Sequence, residues 1–355
     1  MSEKSDKTIV DGLSCPAPIS GSKQVLLAHG GGGILTQQLI QKIFLPQFEN
    51  SYLNLLHDGA ILPLNGSTVA FSTDSYVVNP LFFPGGDIGS LAVNGTVNDL
   101  AMCGATSPYL SVSFIIEEGL PMDDLSRVVL SMHQAASSAG VMLVTGDTKV
   151  VDRGKGDKLF VNTAGIGLIE AGVEINPRRA QRGDKIIVNG PIGDHGIAIM
   201  SVREGLEFES KIVSDTAALN SLVREMLKAC KDIHVMRDPT RGGVASALNE
   251  IAQSANVGIK IVEENIPVRG EVFGACEILG FDPLYVANEG KLLAFVPADA
   301  AEKVLEAMRS NPLGEGSVII GEVTDEHPAL VVMRTRIGSS RIVDMLSGEQ
   351  LPRIC

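Results

Sequence analysis

The chain has no tryptophan, only 4% aromatic residues and no C-x-x-C pair. Its five cysteines (15, 103, 230, 276 and 355) are odd in number and scattered, which excludes a written disulfide framework or zinc site. No apolar run reaches membrane length, and the first twenty residues carry no apolar signal core. Positive charge is also short. Lys and Arg number 29 against 42 acidic residues, a net charge of −13 that speaks against nucleic acid and anionic membrane as partners. A polyphosphate substrate would need a bridging cation. These absences together predict a reduced, cytoplasmic protein.

What is present is length, glycine and alternation. With 355 residues the chain has room for two domains and a sizeable core, and 38 glycines imply many tight turns. Residues 1–23 read as a polar leader. The apolar run Gln24–Ala28 reads as a strand leading into His29-Gly30-Gly31-Gly32-Gly33, then a helix over Ile34–Phe44. Further strands are predicted at Thr68–Thr73, Tyr109–Ile116, Val141–Thr145 and Leu159–Glu170, and helices at Asp87–Met102 and Met122–Ala139. The turn-rich stretch Asn176–Asp184 marks a break. Beyond it, strands at Lys185–Val188, Gly258–Val262, Lys291–Val296 and Val318–Val323 alternate with helices near Thr216–Ala229 and Arg241–Ala255. This alternation gives α/β or α+β character. From Arg334 the pattern loosens into a tail that ends on Cys355. Its last seventeen residues before the cysteine would span roughly 55–60 Å if extended.

Three aspartates stand out. Asp74 and Asp147 each end an apolar strand, and Asp99, beside Asn98, sits against the helix dipole in the last turn of an apolar helix. Hard carboxylate oxygens suit Mg²⁺, although Asp74 and Asp147 also fit as plain turn residues. The glycine run could offer backbone N–H groups to phosphates or simply give a flexible loop, and it lacks the Lys-Ser/Thr of a Walker loop. His29 could touch a phosphate or be structural. Lys149 shares a strand face with Asp147, as an ion pair or as a group facing substrate charge. Thr240 reads either as an N-cap or as part of an anion approach, and Glu289 either as a base or as a turn acid.

Together, Thr73-Asp74-Ser75, Gly85-Gly86-Asp87-Ile88-Gly89, Asn98-Asp99-Leu100-Ala101-Met102, Gly146-Asp147-Thr148-Lys149 and Asp238-Pro239-Thr240-Arg241-Gly242-Gly243 resemble the aminoimidazole ribonucleotide synthetase superfamily. Ala28-His29-Gly30, Asn288-Glu289-Gly290 and the terminal Pro352-Arg353-Ile354-Cys355 resemble, within it, the carbamoyl dehydratases of NiFe-hydrogenase maturation. Gly31 stands where that family often has serine. The resemblance implies a two-domain α+β PurM-like fold. Residues 24–172 would form an ATP-binding and dimerisation domain of sheet and helix, 173–333 an α/β sandwich and 334–355 a mobile tail. It implies ATP and Mg²⁺, with Asp74, Asp99 and Asp147 on the metal. His29, Gly30, Gly31, Gly32, Asp87, Asn98 and Thr148 would join the three aspartates around ATP.

The implied chemistry starts with a carbamoyl group placed on Cys355 by the carbamoyltransferase HypF. Phosphorylation by ATP and dehydration would follow, with Glu289 as base and Lys149 stabilising the oxyanion or relaying a proton. The resulting cyanide would pass to the HypC–HypD complex, and the enzyme would be a homodimer. The rival readings are a selenophosphate synthetase or small-molecule kinase of the same superfamily, and a non-catalytic scaffold. A terminal cysteine has no role in the superfamily rivals. Cys103, Cys230 and Cys276 read as inert, in apolar helical settings.

Overall fold

The computed structural model describes residues 24–48, 50–205, 212–347, 354 and 355. The predicted leader, with Cys15, lies outside the described residues. In chain order the main elements begin with α1 (Ile34–Leu39), which runs through a π turn into α2 (Leu45–Phe48). Strands β1 (Ala60–Leu64), β2 (Ser67–Tyr76), β3 (Phe82–Phe83) and β4 (Gly86–Asp87) precede α3 (Ile88–Met102) and β5 (Ala105–Glu117). Then come α4 (Met122–Ala139), β6 (Met142–Val151), β7 (Leu159–Ile169), β8 (Lys185–Val188), α5 (Asp194–Arg203), α6 (Asn220–Ala229) and β9 (Val235–Arg237). The chain ends with α7 (Gly243–Ala255), β10 (Gly258–Val262), α8 (Gly270–Leu279), β11 (Leu293–Val296), α9 (Ala301–Arg309), β12 (Val318–Thr324), β13 (Val331–Arg334) and β14 (Ser340–Ile342).

Among the described residues these elements build two large sheets and a two-stranded β3-β4 ribbon. The first has strand order β1-β2-β7-β5-β6, antiparallel except for the parallel β5–β6 pair. One face is covered by α3 and α4. In α4, Val128, Met132, Ala136 and Ala139 form one buried stripe, and Gly140 at φ +68° ends the helix. Helix α3 is buried nearly all round and opens on Asp87, whose carboxylate accepts from the N–H groups of Gly89 and Ser90. Among the described residues nothing covers the opposite face of this sheet. It exposes Phe71, Tyr109, Ile115, Ile166 and Leu168.

The second sheet, β14-β13-β10-β12-β8-β11-β9, is covered on both faces. Its period-two alternation divides the core. Ile186, Val188, Leu293 and Phe295 pack with Val244, Leu248 and Ile251 of α7. Ile187, Ala294 and Val296 pack with Leu222 and Met226 of α6 and with Val304 and Met308 of α9. Ala101 and Met102 of α3 enter this second cluster, so one helix serves both halves. Among the described residues no helix is long and apolar enough to cross a membrane.

Several local expectations change. Residues 24–28 form no strand: Leu27–Gly30 is a 3-10 turn, with Val25 and Leu27 on the surface. An apolar run with no neighbouring strand to take its backbone bonds has no sheet to join. In the segment predicted to loosen from Arg334, β14 pairs with β13 and Val343, Met345 and Leu346 are buried. Asp74 and Asp147 both lie inside longer strands rather than at their ends.

Candidate active site

Alternation along β2 turns Ser72, Asp74 and Tyr76 toward α3. There Ser72 Oγ donates to Asp99 Oδ2 at 2.6 Å, and Tyr76 OH donates to Asp74 Oδ2 at 3.0 Å. Asp58, from the loop before β1, and Asp238, from the loop after β9, close in from the sides. Single carboxylate oxygens of Asp58, Asp99 and Asp238 lie within 4.8 Å of one another. Burial, then repulsion from neighbouring acids that include Asp74 in each case, pushes all three carboxyls above the usual range, Asp238 to about 6. Arg237 partly offsets this charge. Its Nη1 sits 2.6 Å from Asp58, and it also pairs with Glu250.

These acids line a cavity of about 260 Å³ together with Gly32, Thr240 and Arg241. Asp58 Oδ2 is buried there with no hydrogen-bond partner among the described residues. An orphaned buried oxygen within a carboxylate triad is the donor set a hard divalent cation takes, so the residues fit Mg²⁺.

The loops around the cavity require glycine. Gly32 has φ +74°, and a Cβ there would lie 2.6 Å from the Arg241 carbonyl oxygen. Gly243, at φ +61°, would strike the Leu284 carbonyl. The first residue of α7 is thus glycine, its N-cap is Gly242, and Thr240 is free to face the cavity. Arg241 Nη1 donates to the Gly30 carbonyl at 2.9 Å, tying the glycine loop to the second half.

The end of the chain lies beside this cavity. Ile354 is buried in the first core. Val77 N–H donates to the Cys355 carbonyl at 3.1 Å, and His195 Nε2 lies 2.8 Å from the Ile354 carbonyl. The Cys355 thiol lies within electrostatic reach of the Glu289 carboxyl, Arg241 and Asp74. Burial, then the Glu289 charge, drive the thiol well above its ordinary range. Glu289 is only 4% exposed, and burial followed by Asp238 and Asp215 raises its carboxyl strongly. Its backbone is fixed on both sides. The N–H donates to Asp215 Oδ1 at 3.1 Å, and the carbonyl accepts from Asn98 Nδ2 at 3.3 Å.

The structure thus brings together Cys355, Glu289, Asp74, Asp99 and Gly32 from the sequence-derived set. Others fall elsewhere. Asn98 has both ends of its amide engaged, donating to the Ala217 and Glu289 carbonyls and accepting from Leu219 N–H at 2.8 Å. It is a strut between the halves. Asp87 is occupied as the α3 cap, and among the described residues the His29 ring bonds with its own turn at Leu26. Gly30 and Gly31 belong to the same loop as Gly32 but do not line the cavity.

Asp147, Thr148 and Lys149 lie on the edge strand β6, outside the cavity. Lys149 Nζ is 3.2 Å from Asp147 Oδ2, with both side chains more than 60% exposed (71% and 64%). Sequence reasoning missed Asp58 and His195, and it read the Asp238 loop for its glycines rather than its acid. The one sequence signal for Asp238 is its place directly before Pro239 in that motif.

Comparison with known proteins gives a consistent result. The AIR synthase related protein N-terminal domain family matches residues 56–169, and the corresponding C-terminal domain family matches residues 181–333. The carbamoyl dehydratase HypE of Azotobacter vinelandii is 53% identical over 331 residues, 93% of this chain and 97% of that protein. The crystal structure of a HypE–HypF complex aligns with TM-score 0.83 at 49% identity, covering 87% of this chain and 99% of that one. The crystal structure of HypE in complex with ATP aligns with TM-score 0.79 at 50% identity, covering 94% and 100%.

Proposed function

This chain belongs to the HypE family of carbamoyl dehydratases, and on that premise we propose that it dehydrates a carbamoyl group carried on the Cys355 sulfur to a thiocyanate, with ATP. The observation that carries the reading is the Cys355 thiol docked against Glu289 beside a buried carboxylate cavity. Neither a kinase nor a scaffold would call for a substrate-bearing sulfur at that point. Relatives near 50% identity that bear the dehydratase name also disfavour those rivals.

The chemistry balances. The γ-phosphoryl group of ATP is transferred to the thiocarbamate oxygen, releasing ADP, and one N–H proton leaves to give an S-linked imidate phosphate, S–C(=NH)–O–PO3. Loss of the second N–H proton and of phosphate then gives S–C≡N and inorganic phosphate. Glu289 takes a proton from nitrogen. Its burial makes it a stronger base once ionised, and its pinned backbone holds it near the sulfur. Arg241, facing the Cys355 end, lies where negative charge on the thiocarbamate oxygen would be stabilised. Asp58, Asp99 and Asp238 would hold Mg²⁺, with Asp74 adjoining. The ion would neutralise phosphate charge that this acidic protein cannot offset itself.

The docked thiol is held neutral and is therefore a poor nucleophile. Carbamoylation by a HypF-type transferase thus belongs to a state with the tail swung out, and dehydration to the docked state. Tethering supplies the substrate at high effective concentration. The product would pass to a HypC–HypD acceptor in the cytoplasm.

A second copy completes the assembly. Register places Asp147 opposite Ser113 and Lys149 opposite Ile115, on the bare face that also carries Phe71, Tyr109 and Ile166. Thr73 points to that face and also lines the cavity. A homodimer built there would cover the apolar residues and bring Asp147, Thr148 and Lys149 to the margin of a neighbouring ATP site.

The test is intact mass with peptide mapping after incubation with a HypF transferase, carbamoyl phosphate and ATP. A carbamoyl adduct on Cys355 that loses the mass of one water only with ATP supports the proposal, and Glu289→Gln should keep the adduct but block that loss. No adduct on Cys355 with an active transferase would refute it.

A further inference from the structure

The docked tail is held by a residue with no part in the chemistry above. His195, in the first turn of α5, is fully buried, with its ring edge-on to Phe83 at 5.5 Å. Its Nδ1 lies 2.7 Å from Ser214 Oγ and its Nε2 lies 2.8 Å from the Ile354 carbonyl oxygen. Burial holds the ring below its ordinary range, so it is neutral and carries one proton.

The surrounding bonds fix where that proton is. The Ile354 carbonyl can only accept, so Nε2 is the donor and Nδ1 is left to accept from Ser214 Oγ, which itself accepts from Thr216 N–H at 3.1 Å. The imidazole proton is then on Nε2, aimed at Ile354. Ser214 N–H is itself anchored on the Pro84 carbonyl at 2.7 Å. The next residue, Asp215, holds the Glu289 backbone and pairs with Lys291 at 3.1 Å. One short segment therefore carries the support of the latch and the support of the base.

We propose that His195, oriented by Ser214, is the positioning residue that latches the tail in its docked state by donating to the backbone carbonyl next to the substrate-bearing cysteine. This rests on the tethered-substrate reading above. The latch grips a backbone carbonyl, so it works whatever side chain occupies position 354, while the Ile354 side chain separately fills the core. When the tail leaves, a buried N–H loses its partner, and that penalty biases the equilibrium toward docking.

The experiment measures alkylation of Cys355 by iodoacetamide in the full chain without transferase or ATP, followed by peptide mass mapping. This needs no dehydratase activity, so it fails independently of the proposed reaction. His195→Ala should speed labelling of Cys355 roughly five- to thirtyfold. Ser214→Ala should speed it less, and His195→Gln, whose amide can reach the same carbonyl, should stay closer to the parent. Single-turnover dehydration of pre-carbamoylated protein should slow in the same order.

Unchanged labelling in both alanine variants would overturn the latch. So would equal acceleration at buried Cys103 and Cys276, which signals general loosening. If His195→Ala does not fold, Ser214→Ala decides by the same criteria. Faster Cys355 labelling in a family of variants that never dehydrate would keep the latch and sink the reaction.

Discussion

Replacing Asp238 with asparagine should stabilise the ligand-free protein at pH 8 while abolishing its response to Mg²⁺. Asp238 titrates near 6 in the folded state against an ordinary 3.8. The native state therefore binds this proton more tightly than the unfolded chain does. Stability from the protonated carboxyl is complete below about pH 4 and is lost as pH rises through about 6. Two pH units at about 1.4 kcal/mol each give roughly 3 kcal/mol of destabilisation at pH 8, shared among the coupled acids Asp58, Asp99 and Asp238. For domains of this size that corresponds to roughly 6–10 °C in Tm.

The assay is thermal unfolding of parent and D238N in chelator from pH 5 to 8, then with Mg²⁺. The variant should melt higher at pH 8, and the gap should close toward pH 5. Mg²⁺ should raise the parent's Tm far more than the variant's. A variant that melts lower than the parent at pH 8 in chelator, or a gap independent of pH, would refute the reasoning.

Asn98→Ala leaves the Leu219 N–H without its acceptor and unties the Glu289 carbonyl, so a loss of about 2–4 kcal/mol in urea unfolding is expected. The single-turnover dehydration rate should rise with pH through the elevated Glu289 pKa, since only the carboxylate accepts a proton. A rate that falls over that range would exclude Glu289 as base. On the bare sheet face, Tyr109→Glu combined with Ile166→Glu should convert a dimer to monomer by light scattering, with a loss of ATP turnover of at least tenfold. Persistence of the dimer would place the interface elsewhere.

What the sequence alone determined is what short-range physics writes into a chain. The 3.6-residue stripe gave α4 its bounds, Met122–Ala139, without adjustment. Apolar runs marked eight strands of the two large sheets, though the run at Gln24–Ala28 joined none, and Asp99 stood out because it offends its own helix. Cys355 and Glu289 were already candidates from their motifs. Single-strand periodicity also put Asp147 and Lys149 on one face, but not on which side of the sheet.

The tertiary structure decided the rest. Asp58 comes from a loop with no periodic signal, and it meets Asp99 and Asp238 only because α3 spans both sheets. Asn98 reads as a ligand in sequence, whereas its amide bonds to groups about 120 to 190 residues away, which no local signal could announce. His195 was invisible because its significance is a carbonyl 159 residues away. Helix and strand preferences act over a few residues, whereas a carboxylate cluster or a latch exists only when long-range packing holds groups together against their repulsion and lost entropy.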